Sequence, residues 1–330
     1  TKYAETLLGV KYRQENDEGE IAGGPMYYIK AALKKKWPAV LYAVFGLIGA
    51  IGLGNLIQAN SISQSITGAF GLSPFWIALI LMILTAFVVL RGIKSIGKVT
   101  EIIVPIMIVA YFATALIIVF SHLDILGDVL TLIVRSAFQG TAAVGGFAGV
   151  GVMMTIRMGV ARGLFSNESG LGSAAVVAAA ARTKKPQTQA LIAMTQTFID
   201  TILVCSLTGI VIIISGVWNS GLNGVALTTA AFATQFPNVA QYMIALSLSL
   251  FAFSTIIGWS YYGEKFLEYL RPKHHRPYIY RIIYILVAGV GAVLSLEIVW
   301  AFADISAAIM AIPNLIALII LLPTIRKAGR

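Results

Sequence analysis

Eight apolar runs dominate the chain, at about 38–67, 74–91, 99–120, 141–181, 187–215, 238–262, 277–296 and 298–324. Each is near or above the roughly 20 residues that a helix needs to cross a bilayer. Runs of this length and number dictate an all-α polytopic membrane protein with about eight membrane-spanning helices. The composition agrees: 58% of residues are hydrophobic, 12% are charged and the mean hydropathy is +0.86, far from a soluble domain of this size.

The fourth run departs from the others. Glycines interrupt it at 145, 146, 149, 151, 163, 170 and 172, and its second half reads Arg162-Gly-Leu-Phe-Ser-Asn-Glu-Ser-Gly-Leu-Gly-Ser173. A broken helix frees backbone N–H and C=O groups that lipid cannot satisfy, so it is tolerated only against protein or a filled cavity. Half-helix ends at such breaks form ion and substrate sites in secondary transporters. A packing seam of small residues would account for the glycines alone. Ser166, Asn167 and Glu168 shift the balance to a site, because polar groups at membrane depth are expensive and functional. Entering at Thr141 and rising about 1.5 Å per residue, the segment places Gly145, Gly146, Phe147 and Gly149 just short of the midplane. That cluster is the better candidate for a substrate break; Gly163 to Ser173 reads as an inner gate or re-entrant turn.

The net charge of +10 does not indicate a nucleic-acid partner. Lys and Arg cluster at 2–36, 91–98, 182–185, 265–281 and 326–330, and of the 24 only Arg135, Arg157 and Arg162 lie elsewhere. These clusters sit at alternate ends of the runs. By the positive-inside rule they are cytoplasmic, with both chain ends, in a protein of the cell membrane. The lone Cys205 lies in an apolar run, and the three His, at 122, 274 and 275, sit in loops, so neither a disulfide framework nor a metal-ligand spacing is present.

Further polar groups occur inside the runs. The first holds Gly46, Gly49, Gly52 and Gly54, which let another helix approach closely, then Asn55, Gln58, Asn60 and Ser61. These amides are either inter-helix glue or the wall of a polar pocket. Gln196 and Asp200 stand four residues apart in the 187–215 run; Asp200 is a functional candidate, or one half of an ion pair with an arginine. In Phe251-Ala-Phe-Ser-Thr255 the hydroxyls of Ser254 and Thr255 share one face with Phe251. They bond back to preceding carbonyls or, with the Phe251 carbonyl, form a neutral oxygen cage suited to a monovalent cation. Trp259 follows one turn on, as a pocket wall or as packing. The last run carries Asp304 and Pro313, with Asn314 placed to satisfy the backbone groups that the proline frees. Before the first run, 25–36 reads as an amphipathic helix at the inner face, and 123–137 as an amphipathic helix on the outer face.

Five stretches together resemble the sodium:alanine/glycine symporter family. They are Gly23-Gly-Pro-Met-Tyr-Tyr28, Gly52-Leu-Gly-Asn-Leu-Ile-Gln-Ala-Asn-Ser61, Gly163 to Ser173, Phe251 to Glu264, and Met310-Ala-Ile-Pro-Asn-Leu315. They occur in the family's order and cover essentially the whole chain; Ser169 and Ser306-Ala307 depart from the usual family residues. The resemblance implies the five-plus-five inverted-repeat fold of the leucine-transporter type. Residues 138–330 then form the second repeat of five helices, the first of them discontinuous. Residues 1–137 hold the remainder of the first: a cytoplasmic amphipathic segment, three membrane helices and an external helix. Eight runs do not divide into two fives and the chain opens on Thr1 rather than Met, so the expectation is that two core helices precede residue 1.

The same resemblance implies sodium-coupled symport of alanine or glycine by alternating access. Thr141, Gly145, Gly146, Phe147, Gly149, Gln58, Asn60 and Trp259 would bind the amino acid, and the Phe251 carbonyl with Ser254 and Thr255 would bind Na+. Gly163, Phe165, Ser166, Asn167, Glu168 and Asp200 would couple the two, with Glu168 holding the inner turn by accepting backbone N–H bonds. A proton-coupled carrier using Glu168, Asp200 and Asp304 is the nearest alternative. A channel or a structural membrane subunit accounts less well for polar groups gathered at a few breaks. No nucleophile–base pair or metal cluster suggests an enzyme.

Overall fold

The computed structural model describes residues 1–15, 19–139, 148–272 and 276–328. Among these the chain is helical apart from one two-stranded antiparallel ribbon, β1 (Gln14–Glu15) and β2 (Ile21–Ala22). The helices are α1 (Lys2–Lys11), α2 (Pro25–Leu33), α3 (Trp37–Phe70), α4 (Pro74–Val89), α5 (Ile93–Phe120), α6 (Leu123–Gln139) and α7 (Ala148–Asn167). They continue with α8 (Ala174–Ala179), α9 (Pro186–Ile214), α10 (Gly224–Ala233), α11 (Ala240–Leu270), α12 (Pro277–Val293), α13 (Leu296–Ile320) and α14 (Leu322–Ala328).

Five of these, α3, α5, α9, α11 and the stretch Glu297–Ile320 of α13, are long and apolar enough to cross a membrane. The runs at 74–91 and 277–296 fold as shorter apolar helices of 16 and 17 residues. Gly92, at φ 74°, follows α4, and Leu294 leaves α12 in extended backbone. The interrupted run becomes α7, a turn at 168–173 and the six-residue α8. Pro105 and Pro313 sit inside α5 and α13, which continue through them. Residues 25–33 do form a helix, but Pro25, Met26, Tyr28 and Ile29 are buried in the protein rather than spread on a surface.

The core is a crossed arrangement in which α11 packs on α3, α12 on α4, and α13 on α3. Glycines set these contacts. A Cβ on Gly46 would fall 2.7 Å from the Phe266 ring of α11, and one on Gly54 would overlap the Trp259 side chain. On the other side of α3, Cβ atoms on Gly49 and Gly52 would meet Met310 and Phe302 of α13 at 2.5 and 2.6 Å. The close approach read from the glycine spacing is thus used twice, against two different helices.

At the α12–α3 contact the obstacle is main chain: a Cβ on Gly291 would lie 2.9 Å from Leu56 Cα and 3.0 Å from Leu56 O. Backbone cannot swing aside as a side chain can. Gly291→Ala is expected to lower stability by about 1–3 kcal/mol, read as a fall in melting temperature in detergent. Gly209→Ala, where nothing stands within 4 Å, is the matched control and should not lose stability.

Candidate functional site

Two of the long helices contain a wider, π-helical turn, at Gly52–Leu56 in α3 and Phe198–Cys205 in α9. In α3 the Ile57 N–H reaches back to Gly52 O, five residues rather than four. Each π-turn is braced by a side chain five positions on. Gln58 Nε2 donates to Leu53 O at 3.3 Å, and Ser206 Oγ donates to Thr201 O at 3.3 Å. Turns of this kind bend the ladder and re-aim side chains, and they recur at functional sites.

Both π-turns border one cavity of about 210 Å³. Its walls are Leu53 and Gln58 from α3, Phe165 and Ser166 from α7, Glu168 and Leu171 from the turn, Asp200 from α9, and Thr255 and Trp259 from α11. Glu168 has φ 56°, a left-handed conformation that a side chain other than glycine holds only when its surroundings enforce it. Its Oε1 accepts from Trp259 Nε1 at 2.9 Å and its Oε2 from Ser173 Oγ at 2.7 Å. Asp200 Oδ2 accepts from Ser166 Oγ at 2.7 Å and Thr201 Oγ1 at 3.1 Å. The arginine contact considered for Asp200 goes elsewhere: Arg162 pairs with Asp304 at 2.7 Å and stacks over Trp300.

The turn behind the cavity is clamped from α1. Lys2 Nζ donates to Asn167 O at 2.9 Å, and Arg13 donates to Ala179 O, Ala181 O and Thr183 O at 3.1, 2.9 and 2.9 Å. These are carbonyls at the C-terminal ends of α7 and α8 and just past them, where helix bonds run out and cations are favoured. Glu5, fully buried, accepts on Oε1 from Gly170 N at 2.8 Å and from Asn314 Nδ2 at 2.7 Å. Burial pushes this carboxyl above its ordinary range, with Lys2 and the Asn314 and Gly170 hydrogen bonds opposing.

The structure brings Gln58, Trp259, Thr255, Phe165, Ser166, Glu168 and Asp200 to one cavity. Ser254 and Phe251 stand off its wall, with Ser254 Oγ and Thr255 Oγ1 donating to Phe251 O at 2.8 and 3.1 Å. Asn60 is elsewhere: its amide donates to Leu294 O at 2.6 Å and Gly291 O at 3.3 Å, closing the end of α12. Asn167 braces the turn, donating to Thr201 Oγ1 and accepting from Ser169 N. Gly163 lies within α7 and Gly149 at its start. Thr141, Gly145, Gly146 and Phe147 lie outside the described residues.

Two roles differ from the sequence reading. Glu168 accepts from an indole and a hydroxyl, while the backbone N–H of Gly170 goes to Glu5. Asn314 does not serve its own helix: it donates to Gly170 O at 2.8 Å and to Glu5, and accepts from Tyr28 Oη. Tyr28 belongs to the Gly23–Tyr28 stretch, whereas Glu5 stands in none of the five stretches; a glutamate close before Leu7 and Leu8 was the available signal. Leu53, Leu171 and Ser173 lie within the quoted stretches without being named as candidates, and Thr201 lies outside them.

Comparison with known proteins gives a consistent picture. The family model described as the sodium:alanine symporter family matches residues 1–330. The sodium/alanine symporter AgcS of Methanococcus maripaludis is 45% identical over 330 residues, covering 97% of this chain and 71% of its own length. An uncharacterised transporter of Haemophilus influenzae is also 45% identical, over 322 residues, with 97% and 70% covered. A probable sodium/glutamine symporter of Bacillus subtilis, GlnT, is 34% identical over 322 residues, with 97% and 66% covered.

Replacing Glu168 tests the site's internal support. Glu168→Ala leaves the Trp259 N–H and Ser173 O–H without their acceptor and is expected to lower stability by about 1–3 kcal/mol per group stranded. Glu168→Gln keeps one acceptor oxygen and should lose less. Thermal unfolding in detergent ranks the two.

Proposed function

Because the chain belongs to the sodium:alanine symporter family, whose members are transporters and not enzymes, we propose that it carries a small neutral amino acid, alanine or glycine, together with Na+. The carrying observation is the cavity itself. A space of about 210 Å³ is below the range that holds drug-sized ligands and suits an amino acid with a short side chain. Trp259 and Phe165 are its large aromatic walls and Gln58 and Ser166 its neutral polar ones. With GlnT among the relatives, side-chain size is the variable that separates substrates, and Trp259, held by Glu168, is the residue assigned to setting it. The glycine break at 145–149 would receive the substrate ammonium.

For the ion, Phe251 O, Ser254 Oγ and Thr255 Oγ1 converge on one turn of α11. All three are neutral oxygens, a donor set for a weakly held monovalent cation rather than a divalent one. A cation there would need the two hydroxyls to release the Phe251 carbonyl and turn their lone pairs, not their protons, toward the ion. Sodium and amino acid binding on the same helix, α11, provides for the reciprocal coupling that symport requires.

The five-plus-five repeat reading draws support from the crossed core. With 138–330 as the second repeat, α3 and α4 are the third and fourth helices of the first, and α11 and α12 the third and fourth of the second. The pairs α3–α11 and α4–α12 pack on each other, as mates lying beside a two-fold axis between repeats would. This reading keeps eight spans, counting α4, α7 and α12, with the basic clusters and both ends of this chain on the cytoplasmic side of the cell membrane.

Uptake of labelled alanine into proteoliposomes by the full-length protein, with and without an inward sodium gradient, tests the whole. Sodium-driven accumulation is expected, with glycine competing and glutamine not. Uptake that follows a pH gradient alone would move the coupling to Glu168 and Asp200, and no uptake under either gradient would sink the carrier reading. Ser254→Ala and Thr255→Ala should each raise the half-saturating sodium concentration about tenfold, the equivalent of 1.4 kcal/mol, without changing the order of amino-acid preference. Unaltered sodium affinity in both would overturn the ion site.

A further inference from the structure

Four stretches of the sequence meet at one buried point that neither the amino-acid site nor the ion site uses. Glu5 comes from the opening Lys2-Tyr-Ala-Glu5, Tyr28 from the Gly-Gly-Pro segment, Gly170 from the broken run and Asn314 from the Met310–Leu315 stretch. The Asn314 amide bridges them: Nδ2 donates to Glu5 Oε1 at 2.7 Å and Gly170 O at 2.8 Å, while Oδ1 accepts from Tyr28 Oη at 2.5 Å. Tyr42 Oη adds a bond to Leu171 O at 2.6 Å. Glu5, Asn314, Tyr28 and Tyr42 are all fully buried.

We propose that Glu5 and Asn314 are positioning residues for transport: together they fix the turn at 168–172 and, through Glu168, set where the Trp259 indole stands on the cavity wall. The mechanical path is short. Glu5 and Asn314 hold both the N–H and the C=O of Gly170. Leu171 N donates to Glu168 O at 3.2 Å, and the Glu168 carboxylate holds Trp259 Nε1 and Ser173 Oγ. The turn has little freedom otherwise. Glu168, Gly170 and Gly172 all have positive φ, and a Cβ on Gly172 would fall 2.5 Å from Pro25 Cγ and 3.0 Å from Asn314. A shift of Gly170 is therefore passed to Glu168 rather than absorbed.

The inference rests on the reading of the cavity as the substrate path, and the measurements separate the two.

Hydrogen exchange across 168–173 is measured on the purified protein, and alanine uptake kinetics on the same variants in proteoliposomes. Glu5→Ala and Asn314→Ala should each speed exchange at the Gly170–Leu171 amides about tenfold, the loss of roughly one hydrogen bond, and should raise the KM for alanine more than they lower the maximal rate. The double variant should be little worse than either single, because the two act as one unit. Glu5→Gln keeps the acceptor oxygen and should restore both readouts, which protects the test if the alanine variants fold poorly. Exchange unchanged in the alanine variants would overturn the clamp. Faster exchange with an unchanged KM would overturn the positioning role. Failure of the carrier reading is distinct, since it shows as no uptake by the unsubstituted protein.

Discussion

Every break in a membrane helix leaves backbone groups that lipid will not take, and the structure around the cavity follows from how they are satisfied. The π-turn in α3 is closed by Gln58 on Leu53 O, that in α9 by Ser206 on Thr201 O. The break after α7 is closed by Lys2 on Asn167 O and by Glu5 and Asn314 on Gly170. In each case a polar side chain that would be expensive in an apolar span stands where a carbonyl or N–H has been freed. Gln58 does both jobs at once, since the amide that closes the turn also faces the cavity.

Close packing has the same origin. Between membrane helices there is little hydrophobic gain, so contact depends on backbones approaching closely enough for many small attractions to add. Gly54 lets Trp259 seat directly on the π-turn of α3, and Gly291 lets α12 reach the Leu56 backbone at the end of that turn. The widened turn is thereby gripped from two sides. A bulge that could slip in isolation is held in one register by α11 and α12, which is what a fixed binding wall needs.

Much of this was readable from residue order. The apolar runs placed the helices, because hydropathy over twenty residues averages out local exceptions. The Glu168, Asp200, Gln58 and Trp259 candidates meet at one cavity because each is a polar or amphipathic residue in a place where it is costly. What could not be read was partner choice. Asn60 and Gln58 are two residues apart and chemically alike, yet one closes the end of α12 and the other lines the cavity. A regular helix sets them about 200° apart, so two polar faces were legible; which face meets the cavity and which meets α12 depends on tertiary packing, which residue order does not show. Asn314 was assigned to its own proline for the same reason: local bonds are the ones a sequence shows, and its real partners are 309 and 144 residues away.

The charge pattern of the cavity bears on what it attracts. Glu168 and Asp200 both face it, and each is held by neutral donors, an indole and a hydroxyl for one and two hydroxyls for the other. The nearby guanidinium of Arg162 is committed to Asp304 and to the Trp300 face. Neutral donors orient a carboxylate without cancelling its field, whereas an arginine would do both. At an effective dielectric near 20, a cation about 4 Å from one such carboxylate gains on the order of 4 kcal/mol of Coulomb attraction. A cavity with this arrangement favours a positive group over a negative one.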